Sequence, residues 1–233
     1  MQVNKISLKY YVAEEILKGI YSEAMNENVK KLQEISYDYM TTENILKMYA
    51  RAFKAEMNKK AAMIVVESLS DEKKRLIKLK YGEQRQLVSM SFALNISVGQ
   101  LMVWNQSIME KITQFVMYRL TTEDVFCKKK ISGMIEMLNL TIEFFSGLES
   151  EYQVRREWLD ELKRKKNNYQ NLLRQIEKFE SKRIETSYKK VIVSKIGSPN
   201  STNKEIAIAC KLHKATVGRF LKKFTNAMSS YLK

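Results

Sequence analysis

Histidine and proline each occur once in this chain, at His213 and Pro199, cysteine occurs twice, and glycine only seven times in 233 residues. Each shortage excludes something. One histidine and two widely separated cysteines, Cys127 and Cys210, offer no zinc-ligand spacing and no disulfide framework. Both cysteines sit inside helical patterns and are expected as buried small hydrophobes, which fits a reducing cytoplasm. So little proline and glycine leaves few breaks in helices, so a mostly helical chain is expected. No apolar run approaches the ~18 residues of a membrane span. The opening residues MQVNKISLKYY lack the apolar core and small-residue cleavage site of a signal peptide. No GxxxxGK[ST] loop occurs and no GxGxxG follows a strand. The carboxylates lie on charged helical faces rather than on a sheet. No catalytic residue, metal ligand or cofactor is therefore expected, and the chain does not read as an enzyme.

What the chain has in excess is positive charge. Lys and Arg number 41 against 26 Asp and Glu, a formal net charge of +15. Such an excess favours polyanions, because each phosphate neutralised releases condensed counterions. The charge is concentrated near the C-terminus. From Tyr188 to Lys233 the cations are Lys189, Lys190, Lys195, Lys204, Lys211, Lys214, Arg219, Lys222, Lys223 and Lys233, and Glu205 is the lone anion.

Within that stretch, KEIAIACKLHKATVGRFLKKF (Lys204 to Phe224) has the spacing of a DNA-reading helix-turn-helix. Ile206, Ala207 and Cys210 give a short helix its apolar face, and the small Ala207 permits a close crossing. Leu212 lies in the turn, and His213 is placed to cap a second helix whose Val217 and Phe220 point inward. Lys204, His213, Lys214, Thr216, Gly218, Arg219, Lys222 and Lys223 are the expected DNA-facing set. Lys214, Thr216 and Arg219 stand nearest the bases, with Arg219 suited to guanine; Lys222 and Lys223 suit phosphates. Residues 187–233 are expected to bind DNA as a fragment. The loop Gly197 to Ser201 precedes the motif, with Thr202 or Asn203 as the cap of its first helix.

A second such motif is expected earlier. Ser70 precedes DEKKRLIKLKYG, an N-cap with acidic first-turn residues and a closing Gly82. Further on, Met90, Ser91, Leu94, Ile96, Ser97, Leu101 and Trp104 hold the places of Ile206, Ala207, Cys210, Leu212, His213, Val217 and Phe220, always 116 residues apart. Ser97 is the expected cap of the second helix. The offset suggests an internal duplication. The residues between Glu67 and Tyr118 are nearly charge-balanced, however, and the outward positions Val98, Gly99, Met102 and Val103 are mostly apolar. Gln100, Asn105 and Gln106 are the remaining hydrogen-bonding residues, with Ser97, Gln100 and Asn105 taken as the candidate contacts. This unit reads either as a second DNA contact or as a protein-binding surface.

LSDEKKRLIKLKYG, Leu94-Asn95-Ile96-Ser97, Trp104, Ile108 and Ile112 together resemble region four of bacterial sigma factors. They are equally similar to the helix-turn-helix of the RinA/ArpU-like phage transcription regulators. The resemblance covers about 50 residues by the extent of those motifs. It implies action at promoters, with the helix after Ser97 entering the major groove, and it adds RNA polymerase to the expected partners.

Between the motifs, Thr121 to Asp124 reads as a helix start. Ile131, Met134, Ile135, Leu138, Ile142 and Phe145 form a stripe that ends at Gly147. A long charged pattern follows, with Trp158, Leu162, Leu172, Leu173, Ile176 and Phe179 apolar, a turn expected at Asn167-Asn168, and Glu161 and Lys165 spaced for an i,i+4 pair. This is a helical hairpin or short coiled coil, serving as spacer or dimer interface. At the N-terminal end, Leu8, Val12, Ile16 and Ile20 form one stripe, Val29, Leu32 and Ile35 another, and Thr41 or Thr42 caps a third helix. The run Ala61 to Val66 is apolar nearly all round and is expected to be buried.

The expected fold is thus all-α, with two helix-turn-helix units joined by a helical connector. The segments are 1–68 (helical), 69–118 (first motif), 119–186 (connector) and 187–233 (C-terminal motif). The expected partners are double-stranded DNA, with RNA polymerase or a second copy of the chain for the first motif. The expected location is the cytoplasm, at the nucleoid, without a membrane. The function expected is a sequence-specific transcription regulator of a bacterium, phage or mobile element. The alternatives are a sigma-like factor and a DNA-bound adaptor for replication, partition or packaging.

Overall fold

The computed structural model describes residues 13–20, 42–148, 156–183 and 186–232. The fold is all-α, and among the described residues there is no strand. The stripe expected at Val29, Leu32 and Ile35 lies outside the described residues. The chain divides into two compact units, Met1–Met117 and Tyr118–Lys233.

In the first unit a helical stretch at residues 13–20 precedes α1 (Thr42–Glu67), α2 (Asp71–Ile77), α3 (Leu87–Leu94) and α4 (Val98–Val116). The long helix α1 lies against α4. Of the apolar run 61–66, Ala61, Ala62 and Val65 are buried while Met63 is exposed. Burial there follows the helical period, as expected for one face of a helix rather than a wholly enclosed one. α2 passes without a break into a π-helical turn, Lys78–Gly82. Glu14, from residues 13–20, pairs with Lys80 on that turn at 3.8 Å. Burial holds the Lys80 ammonium below the ordinary lysine range, with Glu14 acting in the opposite sense. α3 and α4 cross at 98°.

The second unit contains a 3-10 turn (Asp124–Phe126), α5 (Lys128–Gly147), α6 (Arg156–Ser181), α7 (Ser187–Gly197), α8 (Asn203–Cys210), α9 (Lys214–Met228) and a closing 3-10 turn (Ser229–Leu232). α5 and α6 pack along one another. Two expectations are corrected here. Thr121 to Asp124 does not start the helix; α5 begins at Lys128. The Asp124 carboxylate accepts from the Thr121 amide (2.7 Å) and hydroxyl (2.8 Å) and from Lys130 Nζ (2.8 Å), which holds a tight turn in place of a first helical turn. Nor does the chain turn at Asn167-Asn168. α6 runs unbroken, because Leu159, Leu162, Tyr169, Leu172 and Ile176 carry one buried stripe across that point. Glu161 and Lys165 pair at 2.7 Å as spaced.

Residues 119–186 and 187–233, read separately in the sequence, share one core. The Phe224 ring of α9 packs 5.6 Å from Phe126 and 5.2 Å from Phe179 of α6. Phe179 also meets Tyr188 of α7 edge-on. At the entrance to the unit, Tyr118 has a left-handed backbone, φ 54°. Tyr169 secures it from α6: its hydroxyl donates to the Tyr118 carbonyl (3.2 Å) and accepts from the Leu120 amide (3.3 Å). Burial pushes the Tyr169 and Tyr118 hydroxyls above the ordinary tyrosine range. Cys127 and Cys210 are half-buried free thiols rather than core residues, because each stands at a helix end.

Candidate nucleic-acid interface

The 116-residue spacing of the sequence is repeated in the backbone. α3 and α8 span Leu87–Leu94 and Asn203–Cys210, and α4 and α9 begin at Val98 and Lys214. Each short helix ends on a left-handed residue, Asn95 (φ 54°, ψ 44°) and Lys211 (φ 54°, ψ 47°). The next amide closes each turn in the same way, Ile96 to the Ser91 carbonyl at 3.2 Å and Leu212 to the Ala207 carbonyl at 2.9 Å. Ser97 Oγ accepts from the Gln100 amide at 3.2 Å. His213 Nδ1 accepts from the Ala215 amide at 3.3 Å. The same offset pairs the buried Met90 with Ile206, Leu101 with Val217 and Ile108 with Phe224. The preceding helices α2 and α7 continue the repeat. Their buried positions, Leu76, Ile77 and Tyr81 against Val191, Ile192 and Ile196, lie 115 residues apart, so the one-residue difference falls in the loop after them, which is longer in the second copy.

The two repeats carry surfaces of different chemistry. On the second, Lys204 stands in the first turn of α8, and Lys211, His213 and Lys214 follow through the turn into α9, all exposed. Arg219, Lys222 and Lys223 continue the exposed face of α9. No carboxylate among the described residues pairs with any of these cations. The one anion nearby, Glu205, is occupied locally. It completes a capping box with Thr202, accepting from the Thr202 amide at 2.6 Å while Thr202 Oγ1 accepts from the Glu205 amide at 3.3 Å. Those hydrogen bonds hold its carboxyl below the usual range. Sequence reading placed the cap but left open Thr202 or Asn203; the T-x-x-E spacing was the signal that decides it.

Side-chain geometry sorts the cationic residues. Arg219 Nη2 donates to Thr216 Oγ1 at 3.3 Å, which steadies the guanidinium on the exposed face of α9. Four of its five N–H donors remain for a ligand. Lys223 Nζ lies 5.6 Å from the centre of the Tyr188 ring, and Tyr188 also meets Phe220 edge-on. Tyr188, which sequence reading passed over, therefore seats α9 on α7 and holds the Lys223 ammonium. Lys195 Nζ is bound to the Ser201 carbonyl at 2.6 Å and braces the loop before α8. Gly218 is half-buried. A Cβ there would lie 3.8 Å from Asn203 Nδ2, an ordinary contact, so its smallness leaves α9 open rather than averting a clash.

On the first repeat, Ser97 and Gln100 are exposed at the start of α4. Asn105 is not an outward-facing reader. Its Oδ1 accepts from Lys80 Nζ at 3.1 Å and from the Tyr81 hydroxyl at 3.3 Å, tying α4 to the π turn. Where the second repeat has Lys204, Gly218 and Arg219, the first has Val88, Met102 and Val103, all exposed.

These features define an all-α chain built around a repeated helical unit, one copy of which carries an unpaired cationic face. Comparison with protein-family models, curated proteins and solved structures returns no match for this chain.

Proposed function

We propose that the chain is a sequence-specific DNA-binding transcription regulator whose second unit, residues 118–233, engages double-stranded DNA with α9 in the major groove. The observation that carries this reading is the cationic face of α8 and α9, on which Glu205, the one carboxylate of these two helices, is bound up in a helix cap. A short helix, a three-residue turn and a second helix with outward Lys and Arg match the geometry by which such motifs enter a groove. Lys204, Lys211 and Lys222 supply phosphate contacts, and Lys214, in the first turn of α9, stands near the bases. Arg219, held by Thr216, offers two parallel donors to the O6 and N7 of a guanine. His213 caps the reading helix and stands at the phosphate edge. The resemblance of residues 69–118 to sigma region four makes promoters the expected sites of action.

The test separates reading from holding. Arg219→Ala in the full chain is expected to relax sequence preference at one position, a loss of about 1–3 kcal/mol of discrimination. Lys222→Ala is expected to weaken all sequences alike and to lower the salt slope by about one unit. Lys222 serves better here than Lys223, because Lys223 also packs on Tyr188. Selection of binding sites from a random pool, followed by salt titrations, reads both effects. A selected motif identical for the native chain and Arg219→Ala would remove Arg219 from the reading set. Salt-independent affinity would overturn the interface as a whole.

A further inference from the structure

From Leu87 to Met109 no residue is charged, in a chain of which 29% is charged. This stretch is α3, its turn and most of α4, and the proposed DNA contact makes no use of it. Five large apolar side chains there stand in solvent: Leu87 (41% exposed), Val88 (59%) and Phe92 (83%) on α3, and Met102 (59%) and Val103 (60%) on α4. The fold does not require four of them; at the fifth, Phe92, the second repeat also exposes an apolar residue, Ile208. The second repeat builds the same helices and the same turn with Asn203, Lys204, Ile208, Gly218 and Arg219 at these five positions. The repeat places the two sets side by side: a Cβ at Gly218 would lie 3.8 Å from Asn203 Nδ2 in the second repeat, and the equivalent positions in the first are Met102 and Leu87.

We propose that this uncharged face of α3 and α4 is the docking surface for a second copy of the chain, in an isologous dimer. The occupant follows from charge. Each copy carries a net charge of +15, so two copies repel across most of their surfaces. They can approach at least electrostatic cost where both lack charge, and a self-complementary two-fold contact places the same uncharged face on both sides. A nucleic acid would release no counterions by covering this face. An acidic protein would be drawn to α8 and α9 instead. The five side chains expose on the order of 500 Å² per copy, more than half of the ~800 Å² that each partner gives to a standard interface. The dimer does not depend on DNA binding by the second unit, and it is tested without DNA.

Sedimentation equilibrium of the full chain over a range of concentrations and salt is the experiment, with Val88→Lys, Val103→Arg as the variant. These substitutions introduce the residues that the second repeat carries at the equivalent positions, Lys204 and Arg219. The expected result is a reversible dimer that tightens as salt screens the repulsion between copies. The double variant should weaken dimerisation by at least about tenfold with thermal unfolding unchanged. Phe92→Ser, at the most exposed of the five positions, should weaken it in the same direction and serves if the double variant loses helicity. A native chain that stays monomeric up to roughly 100 μM overturns the proposal. So does a dimer that neither variant weakens. Co-flotation of the native monomer with phosphatidylcholine vesicles, abolished by Val88→Lys, Val103→Arg, would assign the face to a lipid surface instead.

Discussion

Phe224→Ala tests whether α9 can be separated from the helices before it. Phe224 is 1% exposed and stands between the rings of Phe126 and Phe179, which belong to the segment preceding the motif. Truncating a buried phenylalanine costs about 3–5 kcal/mol, through lost transfer energy and the cavity left behind. Each ring pair adds about 0.5–1.5 kcal/mol beyond its buried area, which puts the expected cost at the upper end of that range. A domain of this size has about 5–15 kcal/mol of stability in all. The substitution should therefore remove a third or more of it and lower the melting temperature of the second unit by on the order of 10–20 °C. Urea and thermal unfolding of the full chain, followed by circular dichroism, measure the loss. The same reasoning changes the expectation for fragments. Residues 187–233 lose both ring partners of Phe224 and are expected to be poorly folded alone, whereas residues 118–233 keep them. A loss below about 1 kcal/mol for Phe224→Ala would mean that the motif carries its own core, and the shared-core reasoning would fail.

Lys130 and Asp124 form an ion pair 2.8 Å long with both side chains 8% exposed. Lys130→Met should cost about 3–5 kcal/mol by leaving the carboxylate buried with only its Thr121 donors, while Asp124→Asn, Lys130→Met should recover much of that; a double-mutant cycle in urea checks it. The raised Tyr118 and Tyr169 hydroxyls give an alkaline limit. Their folded values lie above the unfolded value near ~10, so their contribution is complete below that pH and is lost as pH rises through the folded values. Tyr169→Phe, which removes two hydrogen bonds at the Tyr118 corner, should cost about 1–3 kcal/mol at neutral pH and flatten the fall in stability above about pH 10.

The parts of this fold that could be read from sequence were those set by local rules. Ser97 and His213 cap the helices they were expected to cap, and the fixed offset between the motifs reappears in helix ends, turn geometry and buried positions. What escaped depended on which side chains the fold buries or pairs. Asn167-Asn168 looked like a break because asparagine favours turns, but the flanking Leu162, Tyr169 and Leu172 bury enough surface to carry the helix through. Asp124 looked like a helix start until its carboxylate was claimed by Thr121 and Lys130. At the interface, the cationic residues were evident from composition. The settling of Lys223 on Tyr188 and of Asn105 between Lys80 and Tyr81 was not, because those contacts cross from one helix to another.

The loop that follows each leading helix gives the repeat a mechanical property. The first copy has one residue fewer than the second in the loop between its leading helix and the short helix, yet α3 starts and stops in step with α8, and α4 starts in step with α9. The single-residue difference has been taken up in that loop, after Gly82 in the first copy and after Gly197 in the second, and has gone no further. The leading helix and its loop thus act as a length buffer ahead of the helix pair. Insertions or deletions upstream can alter what α2 or α7 touches while the presenting surface keeps its register, which leaves the two copies free to diverge into one charged face and one apolar face on a common frame.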